Sequence, residues 1–323
     1  MDMQGWLPAR IRLNPSWVEW IWAGSRPLSE PFFRQTIQDL RNNGAQQMST
    51  GLDELLAAGA TRPAQEPAGL IFHVSRCGST LVSNSLKLAR GVVVVSEPAH
   101  LVQLLPPYQN IQSDDDQITA ARILRSLVLI FGYYRTGRKE HVVIKLSSLN
   151  MLSLSMIRAI WPNTPFLILI RDPIEVIVSQ IRNHAGWLGS RVSSLAMQTL
   201  GACYACNPTM GHEEYCARTL GLLCTSAAQM RDRNSFILDY SNISTDTVYD
   251  VSRLFGLSLP SDRRLDLEIF KWHAKNPALR FEPDTVSKAA LATDCVKAAA
   301  LQWSMPAYLH LRTDSSTQHW RHY

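Results

Sequence analysis

The 323-residue chain has no apolar run long enough to cross a bilayer; its longest, such as Leu127–Phe131 and Phe166–Ile170, fall far short. It also lacks an apolar h-region near its start, where Asp2, Arg10 and Arg12 flank a short stretch, so a cytoplasmic protein with no membrane partner is expected. Charge is in short supply: charged residues make up 18% and hydrophobic residues 46%, which excludes wholesale disorder and predicts a sizeable core. The formal net charge of +5 is too small and too evenly spread for a nucleic-acid surface, but suits one pocket that holds an anion. Internal repeats and low-complexity segments are missing. Cysteine is sparse: Cys77, Cys203, Cys206, Cys216, Cys224 and Cys295 are scattered, and free thiols are expected. Cys203-Tyr-Ala-Cys206, with His212 and Cys216 nearby, leaves a zinc knuckle open, but no second such pair accompanies it.

What is present is alternation. Residues 1–68 are rich in Trp, Pro and polar residues, with amphipathic helices expected at Pro27–Leu40 and Thr50–Leu56. They read as an N-terminal helical annex packed on a core built elsewhere, joined by the turn-rich connector Pro63–Gly69. Residues 69–323 read as an α/β domain with a C-terminal helical segment. Short apolar strands are expected at Leu70–Val74, Val92–Val95, His141–Leu146, Phe166–Ile170 and Ser235–Leu238. Helices are expected between and after them, at Ser79–Ala89, Ile118–Tyr134, Met151–Trp161, Ile174–His184, Glu213–Met230 and Thr245–Phe255. Such a pattern predicts a three-layer α/β fold, a mostly parallel sheet flanked by helices on both faces. Ligands in such folds bind beyond the carboxyl ends of the strands, so the residues that follow each strand carry the functional signal.

The first of those strands runs into Ser75-Arg76-Cys77-Gly78-Ser79-Thr80-Leu81 and then a helix. A strand, a tight turn of small residues and a helix N-terminus make an anion cradle, in which backbone N–H groups converge and the helix dipole adds positive charge. Gly78 lets the backbone approach closely, Ser79 and Thr80 supply hydroxyls, and Arg76 adds a planar fork of donors. The same residues also fit a plain helix cap on Ser79 or Thr80. GxxxxGK[ST] is absent, so this is not the ATP-type loop.

A second unit follows Phe166–Ile170: Arg171-Asp172-Pro173, with Ser179 about two turns into the helix that Pro173 opens. Arg171 and Ser179 could both face a second phosphate. Separately, Arg171 fits a salt bridge to Asp172 or Glu175, and Ser179 a packed helical serine. Lys145, which ends the strand at His141–Leu146, could reach the same edge of the sheet.

Together these two units resemble the sulfotransferases that use 3'-phosphoadenosine-5'-phosphosulfate (PAPS). The loop Arg76-Cys77-Gly78-Ser79-Thr80 is similar to that family's 5'-phosphosulfate loop, and Arg-Asp-Pro-x-x-x-x-x-Ser, Arg171 to Ser179, to its 3'-phosphate site. The resemblance covers about residues 68–255 and implies the P-loop-like sulfotransferase fold. The Arg-led loop is closer to the tyrosylprotein and bacterial branches, in which a glutamate follows the second strand. Here that implies Glu97 as general base, within Ser96-Glu97-Pro98-Ala99-His100. Alternatively Glu97 caps the short helix near Pro98. His100 is the second candidate base, or orients Glu97 or the acceptor. Lys288 faintly resembles a late donor-contacting lysine, although the family's RKGxxG segment is not evident.

The resemblance implies PAPS as donor, 3'-phosphoadenosine-5'-phosphate (PAP) as product, a small-molecule acceptor and no required metal; a homodimer stays open. The loop backbone at 77–81, Arg76 and Lys145 would stabilise the leaving phosphate. Asp114–Asp116 reads as a solvated turn. A nucleotide or small-molecule kinase and a non-catalytic PAP-binding protein are the competing readings.

Overall fold

The computed structural model describes residues 3–105, 114–183, 187–189, 207, 209–260, 272–273, 276–280 and 290–313. Its centre is a five-stranded sheet, all parallel, made of β4 (Gly69–His73), β5 (Val92–Ser96), β6 (His141–Lys145), β7 (Phe166–Ile170) and β8 (Ser235–Asp239). The spatial order β5-β6-β4-β7-β8 puts β4 in the middle. β4, β5 and β7 are buried at every residue, which is why they read as unbroken apolar runs rather than alternating ones.

Between the strands run α3 (Ser79–Leu86), α4 (Ala99–Leu104), α5 (Asp114–Tyr133), α6 (Leu154–Ile160), α7 (Pro173–Asn183) and α8 (His212–Gln229), and α9 (Thr245–Leu254) follows β8. The chain leaves β4 toward β5 on one side and leaves β7 toward β8 on the other. The crevice between the carboxyl ends of β4 and β7 is therefore the topological switch point, where open parallel sheets bind ligands. Arg76 follows one of these strands and Arg171 the other.

Residues 1–68 depart from the helical expectation. α1 (Phe33–Asn42) and α2 (Leu52–Ala60) are present, but they accompany an antiparallel sheet of β1 (Trp6–Leu13), β2 (Ser16–Trp22) and β3 (Gln47–Thr50). Trp, Ile and Val are strand formers, but Pro8 interrupts the pattern, and the register of β1 on β2 shifts between Pro8 and Arg10. Leu7, Ile11, Val18 and Trp20 from this sheet join the same hydrophobic core as the central strands, and α2 packs on α5. Asp114–Asp116, expected as a turn, opens α5 instead; acidic residues favour a helix N-terminus through the dipole. The segment expected as a helix from Met151 starts as a 3-10 helix at Ser148–Ser153, capped by Ser147 and Asn150, before α6. β9 (Trp272–His273) and β10 (Asn276–Arg280) form a two-stranded ribbon, followed by α10 (Asp294–Trp303) and α11 (Met305–Thr313). Lys288, Cys203 and Cys206 lie outside the described residues.

Helix α8 packs on α7, α10 and α11. Gly221 lets α10 come close: a Cβ there would lie 2.1 Å from the Trp303 carbonyl oxygen. Gly221→Ala, though better for helix propensity, is expected to lower stability by about 1–3 kcal/mol through overpacking, as read by urea unfolding.

Candidate active site

Three non-glycine residues among those described have positive φ: Ser75 (68°), Arg76 (54°) and Glu97 (50°). All three lie just past the carboxyl ends of β4 and β5. Such conformations cost about 1–3 kcal/mol each and persist only where the surroundings enforce them. The polar network at these strand ends supplies that enforcement.

On the β5–β6–β4 side, register places the groups. Lys145 pairs with Ile71 of β4 and with Ser96 of β5, so these side chains share one face of the sheet, and His73, two residues beyond Ile71, lies on that face too. Lys145 is fully buried, and its ammonium makes an ion pair with Oε1 of Glu97. Its Nζ also lies 3.5 Å from Thr80 Oγ1 in the loop helix and 5.0 Å from the centroid of the Phe32 ring. The Glu97 N–H donates to the Lys145 carbonyl at 2.7 Å, extending the strand ladder by one residue. His73 Nε2 lies 3.3 Å from the same Glu97 Oε1, and His73 Nδ1 accepts the Ser75 N–H at 3.0 Å. Burial pushes the Glu97 carboxyl up, but the Lys145 ammonium and the His73 contact outweigh it and hold it well below the usual carboxylate range.

On the β4–β7 side the two arginine units meet. Arg76 Nε donates to Ser179 Oγ at 2.8 Å, joining the loop after β4 to α7. Arg171, 5% exposed, donates from Nη1 to the Arg76 carbonyl at 2.9 Å and forms an ion pair with Glu175. Its guanidinium stacks 3.9 Å from the centroid of the Tyr240 ring. Gln180 Nε2 donates to Ser75 Oγ at 2.9 Å, a second tie from α7 to the loop. Of the two salt bridges considered for Arg171, the structure forms the one to Glu175.

The loop itself ends in Gly78, the N-cap of α3, with φ of 77°. Neither Ser79 nor Thr80 is the N-cap, and Gly78 brings no side chain to occupy the first-turn N–H groups. A Cβ at Gly78 would sit 2.6 Å from the terminal Cδ1 of Ile243, which can give way, so it is the left-handed backbone that calls for glycine. Cys77 is fully buried, with its thiol directed at the Leu169 carbonyl at 3.5 Å. Burial pushes that thiol up to about 11, which makes it a packing residue whose backbone matters.

The remaining candidates fall differently. Glu97 does not cap α4, whose N-cap Pro98 provides no side-chain bond. His100, 3% exposed, packs edge-on against Phe33, with ring centroids 6.1 Å apart, and its Nε2 has no hydrogen-bond partner among the described residues. Burial lowers it to about 4, so it is neutral at physiological pH. His212 begins α8, Cys216 is buried as a free thiol, and no group of metal-holding side chains occurs among the described residues.

The sequence reading passed over His73, Phe32, Gln180 and Tyr240. His73 carried a signal: it is a polar residue ending an otherwise apolar strand, next to the loop. Phe32 carried none, because only the tertiary packing of the N-terminal segment brings it over Lys145.

Neither family models nor curated proteins match the chain. Among solved structures, a sulfotransferase from Alicyclobacillus acidocaldarius is 14% identical, with 76% of this chain and 99% of that chain covered and a TM-score of 0.39. The sulfotransferase domain from the curacin biosynthetic pathway is 13% identical, over 74% of this chain and 98% of that chain, with a TM-score of 0.43. Mouse sulfotransferase SULT7A1 complexed with PAP is 12% identical, over 85% of this chain and 97% of that chain, with a TM-score of 0.42. These are distant likenesses, and function has to be read from the chain's own side chains.

His100 gives the fold a pH dependence. Its folded value is lowered from 6.5 to about 4, so the unfolded chain binds the extra proton first and stability falls as pH drops through that window. Between pH 7.5 and pH 5 the expected loss from this residue is about 2 kcal/mol. His100→Leu should flatten that part of the stability profile, measured by urea unfolding at the two pH values.

Proposed function

We propose that the protein is a PAPS-dependent sulfotransferase acting on a hydroxyl or amine of a small-molecule acceptor. The observation that carries this reading is the 2.8 Å bond between Arg76 and Ser179. It joins the two units, the anion loop after β4 and the Arg-Asp-Pro helix after β7, at the switch point of the sheet. A donor with phosphates at both its 5' and 3' positions would take both. The N-terminus of α3, opened by Gly78 in the left-handed region, fits the 5' group. Ser179, with Arg171 at the same switch point, fits the 3' phosphate by giving up its bond from Arg76, which then turns to the leaving 5' phosphate. Arg171, held by Glu175 and the loop carbonyl, fixes the loop from beneath and adds positive field.

The chemistry proposed is an in-line displacement. An acceptor oxygen forms a bond to sulfur as the bond from sulfur to the 5'-phosphate oxygen breaks, and PAP departs with the electron pair. The acceptor's proton goes to Glu97. Charge grows on the leaving phosphate, where Arg76, the 77–81 backbone and Lys145 supply stabilisation. Glu97 is a weak base while Lys145 holds it. Lys145 lies 3.5 Å from Thr80 in the donor loop, so a short swing toward the leaving group would release the carboxylate as the reaction demands it.

Calorimetry tests the donor site. PAP should bind without Mg²⁺, and Ser179→Ala should erase about tenfold of the preference for PAP over adenosine 5'-monophosphate. Binding of Mg-ATP more tightly than PAP would overturn the reading in favour of a kinase. Glu97→Gln, which keeps an oxygen toward Lys145, is expected to slow sulfuryl transfer by about 10²–10⁴-fold. Turnover at the normal rate in that variant would move the base elsewhere.

A further inference from the structure

His73 occupies a position that the reaction above does not use. It is 5% exposed, at the last residue of the central strand, and it touches both halves of the loop system. Its Nδ1 accepts the N–H of Ser75, the first of the two consecutive loop residues with positive φ. A backbone N–H can only donate, so Nδ1 must carry the lone pair and the neutral ring must carry its proton on Nε2. Nε2 lies 3.3 Å from Oε1 of Glu97. Lys145 falls on the same oxygen. Both contacts therefore fall on Oε1, on a side chain that is 28% exposed.

We propose that His73 is the positioning residue for Glu97 and couples it to the donor loop. Its Nδ1 anchors the strained turn at Ser75, and the tautomer thus imposed holds Glu97 through Oε1. This rests on the sulfotransferase reading for its meaning, but the geometry belongs to the chain itself. The need is sharpest during transfer. Once Lys145 turns to the leaving phosphate, the 3.3 Å contact from His73 Nε2 is what remains on Oε1 among the described residues. The groups that face Glu97 are Lys145 from β6 and His73 from β4, with Thr80 of α3 and the Phe32 ring beyond Lys145.

Two substitutions separate the two bonds. His73→Asn keeps an acceptor near Nδ1 and loses the donor to Glu97, whereas His73→Gln keeps a donor near Nε2 and loses the Ser75 acceptor. With PAPS as donor and water as acceptor, PAP release should fall on the order of tenfold in kcat for H73N, with the KM for PAPS within about twofold. H73Q should show the reverse split, a KM for PAPS raised several-fold with the smaller loss in kcat. Equal losses of both kinds in the two variants would reduce His73 to a packing residue and overturn the proposal. The ring is also read directly in the unmutated protein by nitrogen-15 NMR at neutral pH, with His73 assigned by its disappearance in H73N. An Nε2–H tautomer is expected, and an Nδ1–H tautomer would sink the idea whether or not PAP binds. A chain that shows the Nε2–H tautomer but neither binds PAP nor consumes PAPS would instead count against the sulfotransferase reading.

Discussion

A lysine ammonium with no exposed surface, at the end of β6, is the constraint around which this edge of the molecule is organised. A buried cation without a counter-charge costs several kcal/mol, so Lys145 must be met from a neighbouring element. Glu97 meets it from β5, and to do so the backbone turns into the left-handed region directly after the strand. The same geometry brings the carboxylate over the end of β4, where His73 waits, and sets Thr80 of α3 within reach of the ammonium. The N-terminal segment closes the assembly with the Phe32 ring over Lys145. Removing the Glu97 charge would leave the Lys145 ammonium buried and without its counter-charge, which couples this corner to the stability of the sheet edge.

The opposite side of the loop follows another rule. There the arginines are already satisfied: Arg76 by Ser179, and Arg171 by Glu175, the loop carbonyl and the Tyr240 ring. A ligand phosphate would gain only the difference between its own contacts and those it displaces. The compensation has a structural benefit. Cations crowded at one switch point would repel each other, and pairing each with a carboxylate or hydroxyl offsets that repulsion. Gln180 and the N–H of Ser75 add neutral ties that keep the positive-φ turn in place.

The sheet was legible because its chemistry is local. Continuous runs such as Phe166–Ile170 can be buried on both faces only in a covered parallel sheet, and the observed β7 has the expected bounds. The loop at Arg76 and the unit at Arg171 stood out for a related reason, since each sets a cation directly after a buried strand. The hairpin at Trp6–Trp22 was not, because Pro8 and a shifted register blur its alternation. His100 shows the opposite failure: its spacing from Glu97 suggested a shared site, but it packs against Phe33 in an apolar environment.

The sequence by itself determined the covered parallel sheet, the strand-end loops and the candidates at Arg76, Lys145, Arg171 and Ser179, because burial period and turn chemistry are written residue by residue; Glu97 entered through the resemblance that those loops carry. Tertiary structure alone decided which of them touch. The order β5-β6-β4-β7-β8 sets Glu97, Lys145 and His73 side by side although they are far apart in the chain, and it joins Arg76 to Ser179 across the switch point. Strand order is a property of the folded sheet, and each side chain's partner, protonation and freedom to act depend on it.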